Sequence, residues 1–178
     1  MKVFWSIVVF VMIFAGGACV FLKQNPHDFK AKSINGDVTL KNFDGKNKIV
    51  YFGYGTCPDI CPATLVLVSN ALNEIKTDDT VVLFITLDPD RDSVESVDEY
   101  AKYFYPNSYG LVVNDLDKVT KNYGAKYQKV RLEKSALEYS VAHSSSLYLL
   151  DKNGKFVSEV SNLTPKNIKD SIEELIKN

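Results

Sequence analysis

The stretch Lys48 to Lys76, KIVYFGYGTCPDICPATLVLVSNALNEIK, decides the fold. Its opening run, KIVYFGY, is too short for a helix and rich in β-branched and aromatic residues, so it reads as a strand. Cys57 follows almost at once. Pro58 suits a first helical position and Asp59 a helix N-terminus, so the pattern predicts a helix from Pro58 to about Lys76, with Pro62 in or just beyond its first turn. The order is strand, cysteine, helix, with Cys57 and Cys61 spaced i, i+4 where the helix begins.

Toward the C-terminus, TVVLFITLD (Thr80 to Asp88) is an almost unbroken apolar run. It fits a strand buried on both faces, as in a sheet with helices on either side. The turn DPDRD ends it, read by default as solvated with Arg91 pairing locally. The helix SVESVDEYAKYF follows, capped by Ser93, with Ser96 where a capping box would hold Glu; that cap reads as incomplete. Its aromatic neighbours Tyr100, Tyr103, Phe104 and Tyr105 most simply pack the helix. After the short run Leu111 to Val113 comes a helix from about Asp115 to Tyr123. AKYQKVR reads as a further strand or an extended loop. SLYLLD and KFVSEV form a hairpin through Lys152, Asn153 and Gly154, and TPKNIKDSIEELIK closes the chain as a helix capped by Thr164. Toward the N-terminus, Gln24 to Asp37 reads as a polar connector, followed by a short apolar alternation around Val38 and Leu40. Alternating strands and helices with a terminal hairpin and helix predict an α/β sandwich, a mixed central sheet flanked by helices with thioredoxin-like topology.

The chain has 178 residues, enough for one domain with a core that needs no disulfide to hold it. Acidic residues number 22 and basic ones 21, so no broad positive field favours nucleic acid, and no nucleic-acid partner is expected. Phe4 to Leu22 carries no charge and is flanked by Lys2 and Lys23. As a helix it would span roughly 28 Å, close to a bilayer's hydrocarbon core. The expected organisation is therefore a membrane anchor or signal segment over residues 1–23 and one domain over 24–178. AGGAC leaves cleavage open, and Cys19 leaves open lipidation, against which Gly16 stands where an aliphatic residue is usual. Lys2 favours a cytoplasmic N-terminus, so the domain is expected in the bacterial periplasm, tethered to the inner membrane.

At a helix start, Cys57 and Cys61 can face one atom or form a disulfide, since a Cα separation of ~6.2 Å lies within the tolerated range. The positive helix end favours thiolates. Two cysteines are too few for a closed zinc site. Soft thiolates favour Cu(I), which one imidazole would complete. Of the two histidines, His27 lies in the connector and reads as a solvated linker residue. His143, in YSVAHSSSLYLLD just before a core strand, is the better candidate. A staple, a redox couple and a metal site all remain open on these residues.

YFGYGTCPDICP, LDPDRDS and HSSSLYLLDKNGKF, in that order behind an apolar segment, together resemble the Sco/SenC family of copper proteins. The resemblance covers roughly Asp28 to the C-terminus. It implies a copper site, Cu(I) with Cu(II) as a second state, made by Cys57, Cys61 and His143. It also implies a place for Asp88 near the site, tuning it or the docking of a partner. The implied role is assembly of the dinuclear copper site of cytochrome c oxidase, with subunit II as partner, by a metallochaperone and not a turnover enzyme. Some members instead reduce cysteines of an exported copper or thiol protein, which would make Cys57 and Cys61 a catalytic redox pair. A thiol peroxidase, favoured slightly by Thr56 beside Cys57, is a third class. Two departures stand out: Thr56 replaces a frequent histidine, and Ala142 an aspartate that would orient the ligand histidine.

Overall fold

A computed structural model describes residues 25–133 and 137–177. The apolar segment 1–23, with its expected anchor and Cys19, lies outside the described residues. Among the described residues no helix is long and apolar enough to cross a membrane.

The central strands follow from the apolar runs. β3 (Asn47–Gly53) and β4 (Thr80–Thr86) are buried at every position and pair in parallel, Tyr51 opposite Phe84 and Gly53 opposite Thr86. Even Lys48 is sealed; its ammonium donates to the carbonyls of Asp151 and Lys152 at 3.1 and 2.9 Å. β5 (Ser108–Val113) continues the parallel set beside β4. α1 (Ile60–Ile75) crosses from β3 to β4, and α2 (Val94–Phe104) from β4 to β5. α2 lies so close to β5 that a Cβ on Gly110 would stand 2.2 Å from the Asp98 backbone nitrogen. Only glycine fits there. Asp98 accepts the Gly110 N–H, pinning helix to strand.

Antiparallel strands complete the sheet. β8 (Leu147–Leu150) pairs with β3, and β9 (Phe156–Val160) forms the outer edge beside it. On the far side β1 (Lys30–Ser33) joins β5 and β2 (Gly36–Thr39), giving the order β2-β1-β5-β4-β3-β8-β9. α3 (Leu116–Tyr123) follows β5, and α4 (Pro165–Lys177) packs against α1. The predicted mixed α/β sandwich is thus the fold. A separate two-stranded sheet pairs β6 (Tyr127–Arg131) with β7 (Tyr139–His143).

Four local expectations are corrected. The connector is not all connector: its KAKS segment is β1, whose inward residues, Ala31 and Ser33, are too small to register as hydrophobic alternation. His27 is not solvated. It is half-buried, stacked on Phe156 at 4.8 Å and met edge-on by Tyr123 at 4.9 Å. The α2 cap is complete, because Ser96 performs the reciprocal bond expected of Glu: Ser93 N–H donates to Ser96 Oγ, and Ser96 N–H to Ser93 Oγ. α1 begins at Ile60 rather than Pro58, which leaves Cys57 in the preceding loop and Cys61 in the first turn.

Candidate metal centre

The site lies at the C-terminal ends of β3 and β4, where the βα turns open. Asp59 stands at the N-cap of α1 without a side-chain cap. Cys57 supplies what is missing: its sulfur accepts the Cys61 N–H at 3.4 Å, so the loop cysteine caps the helix that carries its partner. Cys61 is fully buried beneath β3. A Cβ on Gly53 would lie 2.9 Å from Cys61 Sγ and 2.7 Å from the Phe84 ring, so the bare glycine gives the sulfur its room.

His143 arrives from the last position of β7. Its Nε2 is 3.5 Å from Cys61 Sγ, and the ligand atoms of Cys57, Cys61 and His143 all lie within 4.8 Å of one another. His143 Nδ1 is 2.9 Å from the Ser144 carbonyl oxygen. A carbonyl can only accept, so the proton sits on Nδ1 and the Nε2 lone pair faces the sulfurs. The carbonyl thus takes the orienting role of the acid absent at Ala142, which is exposed and paired with Gln128. Two sulfurs and an imidazole nitrogen fit a soft, low-coordinate cation.

The pair is asymmetric. Cys57 is held well below the ordinary thiol range, chiefly by its hydrogen bond with Cys61 and further by backbone N–H donors, against the opposing effect of burial. Cys61 is pushed up by the same pairing and by burial. One thiolate, on Cys57, and one thiol, on Cys61, is the resulting state.

In the DPDRD turn Arg91 pairs locally with Asp88 as expected, and Pro89 and Asp90 are exposed, but the turn is not solvated throughout. Asp88 and Asp92 are buried, and each grips one half of the site. Asp92 Oδ2 accepts the Gly55 N–H of the cysteine loop at 2.9 Å and the Thr86 hydroxyl at 2.6 Å. Asp88 takes the Tyr139 hydroxyl at 2.7 Å and Arg91 Nε at 2.5 Å. Arg91 also donates to the carbonyls of Leu137 and Tyr139 at 3.1 and 3.0 Å and covers the Tyr139 ring at 3.8 Å. Asp88 thereby holds the strand that carries His143 through Tyr139 and Arg91. Asp92 and Tyr139 escaped sequence reading; the available signal was a pair of acids closing a wholly apolar strand, where a solvated turn needs neither buried.

The fold and site define a thioredoxin-like domain with a Cys/Cys/His centre able to hold a metal. The family model for SCO1/SenC matches residues 23–177, and the chain belongs to that family. Protein SCO1 homolog 1, mitochondrial, of Arabidopsis thaliana is 38% identical over 144 residues, covering 75% of this chain; the match spans 42% of that protein's length. An SCO2-like protein of Rickettsia prowazekii is 33% identical over 146 residues, covering 80% of this chain and 67% of the relative. The crystal structure of Arabidopsis thaliana ScoI with copper bound aligns with a TM-score of 0.75 at 35% identity, covering 84% of this chain and 96% of that one. Yeast Sco1 with copper bound gives 0.69 at 34% identity, covering 85% and 87%.

Proposed function

We propose that this protein is a copper-delivery factor whose cargo, Cu(I), is held by Cys57, Cys61 and His143 and handed on to an exported copper protein. The observation that carries the reading is the set of three ligand atoms within 4.8 Å, with the His143 tautomer directing Nε2 at the sulfurs. Copper in two of the similar solved structures supports the choice of metal. An acceptor thiolate displaces His143 first, since a neutral imidazole binds the soft ion less firmly than either thiolate, and ligand exchange then proceeds sulfur by sulfur. The acceptor is the dinuclear copper site of cytochrome c oxidase, in subunit II. Residues 1–23 anchor the chain in the bacterial inner membrane, with the domain in the periplasm. Asp88 is a positioning residue acting through Tyr139 and Arg91.

Anaerobic Cu(I) titration of the full chain against a competing chelator tests this. One tight equivalent is expected, weakened roughly 10–100-fold by His143→Ala and unchanged by His27→Ala. Binding indifferent to His143 overturns it.

The asymmetry of the cysteines favours a second reading, thiol-disulfide reduction. The Cys57 thiolate attacks one sulfur of a partner disulfide and expels the other as thiolate. Cys61, losing its proton, attacks Cys57 Sγ and releases the second partner thiolate. The partner gains two electrons and the Cys57–Cys61 pair loses them. Exchange by this route survives His143→Ala.

A further inference from the structure

Of the described helices, α2, α3 and α4 show charge to solvent along their outer faces, with Glu95 and Lys102 on α2, Asp117 and Lys121 on α3, and Lys166 and Asp170 on α4. α1 does not. From Ile60 to Asn73 it carries no charged residue; its first is Glu74, in the last turn and paired with Lys169 of α4. Ile60 and Val66 are 41% and 44% exposed, Ala63 is exposed and Leu67 half-buried. These positions are three or four apart, so they form one stripe along the helix. The stripe starts beside the cysteine loop, where Pro58 and Asp59, both exposed, separate Ile60 from Cys57. Apolar side chains scattered singly on a surface need no explanation, whereas an aligned run that begins at a reactive centre does.

Position, area and charge decide the occupant. The start of the described chain lies on the opposite face of the sheet: His27 packs on Tyr123, and Tyr123 on Phe52, which points away from the α1 side because its neighbour Gly53 faces Cys61. The stripe is therefore out of line with the chain's own N-terminal residues. Four partly exposed side chains offer on the order of a few hundred Å², against roughly 800 Å² per partner in a stable complex, so a permanent dimer of this chain does not fit either. A brief encounter does. Cys57 is only 8% exposed and Cys61 fully buried, so an acceptor that takes Cu(I) must press close against the cysteine loop and thereby covers Ile60. Val66 lies ~9 Å farther along the helix axis, within the footprint of even a small docked domain. We propose that Ile60, Ala63, Val66 and Leu67 are a docking stripe for the copper acceptor, which lays on them an apolar, uncharged surface bordering its own thiols and so aims a thiolate at Cys57. The inference rests on the delivery reading above and keeps its ligand exchange unchanged: copper stays Cu(I), and each acceptor thiolate that bonds to it replaces one ligand of this chain.

The test follows Cu(I) transfer from the loaded full chain, in mild detergent, to the copper-free soluble domain of cytochrome c oxidase subunit II, with a small Cu(I) chelator as a second acceptor. Val66→Glu and Val66→Lys are each expected to slow transfer to the domain about tenfold, because a charge is desolvated against an apolar partner. Transfer to the chelator and Cu(I) affinity stay unchanged, since Val66 lies outside the ligand set. Val66→Leu keeps the wild-type rate, and so does Val157→Glu, which places the same charge on the outer edge strand β9. Opposite effects of the two charges at Val66, one slowing and one quickening, would show that charge and not apolar contact governs the approach, and overturn the proposal. Rates within twofold of wild type for both, with delivery itself intact, also overturn it. Should the charged variants melt below wild type, Val66→Asn decides: slowing by about threefold supports the stripe and an unchanged rate overturns it. If wild type passes no copper to the domain, the delivery reading fails, and the stripe is judged on binding alone. The ¹⁵N-labelled metal-free chain, titrated with the domain, then shifts its amides over 58–67 if the stripe docks it, and unmoved amides there overturn the proposal as well.

Discussion

Cys61 and His143 enter the same site from differently built regions. Cys61 sits in the first turn of α1, fully buried against the central strands β3 and β4, which are buried along their whole length. His143 ends a strand whose sole hydrogen-bonded sheet partner among the described residues is β6, in a hairpin where only Val141 of β7 is buried. The cysteine side is core that happens to carry thiols. The histidine side is a flap held down by a few directed bonds, chiefly those converging on Asp88. A carrier of copper needs both properties: sulfurs that do not wander, and a third ligand that can leave without disturbing the core. The DPDRD turn joins the two, Asp92 holding the cysteine loop and Asp88 the hairpin.

The sharpest break in that comparison lies within the rigid half. Because Cys61 donates the bond that holds Cys57 below the ordinary thiol range, the thiolate persists as pH falls. Alkylation of wild-type Cys57 by iodoacetamide should stay nearly flat from about pH 8 to about pH 5, whereas an unperturbed thiol loses roughly a thousandfold. Cys61→Ala should move Cys57 most of the way to that steep profile. A flat profile in the variant would place the cause outside the pair.

A smaller effect is expected at the clasp. Asp88→Asn leaves Arg91 without its carboxylate and should cost about 2 kcal/mol in urea denaturation. Amide exchange should accelerate in β6 and β7 well before β3 and β4, and Cu(I) affinity should fall part of the way toward His143→Ala. Uniform acceleration across both sheets would show that the hairpin is not a separate unit. The smallest change tests the room made for Cys61. Gly53→Ala drives a methyl into the Phe84 ring and the sulfur, costing about 1–3 kcal/mol by overpacking. Here exchange should quicken in β3 and β4 while the hairpin is spared, the mirror image of Asp88→Asn.

The two regions were also unequally legible. β3, α1 and β4 announce themselves because a strand buried on both faces must be apolar throughout and a helix start must be capped; KIVYFGY, CPDICP and TVVLFIT carry those signals locally. The cysteine pair is legible for the same reason. His143 could be singled out only by elimination and resemblance. YSVAH buries one large residue, so no alternation marks it as a strand, and its partner YQKVR is exposed along most of its length. Asp88 and Asp92 read as solvent-facing because acids in a turn usually are; their burial depends on Tyr139, Arg91 and Gly55, which only the fold brings near.

The pairing of Tyr127 with His143 fixes which way the imidazole points. Successive residues on a strand face opposite sides, so a slip of β7 by one position along β6 would turn His143 away from the cysteines and present Ala142 or Ser144 instead. Covalent structure, mass and strand content would all be unchanged. The connection between the two strands is thus free to vary in length and composition only while it preserves alignment, and a preparation containing both alignments would look homogeneous by mass and by strand content while differing in the fraction of molecules able to present His143 to the sulfurs.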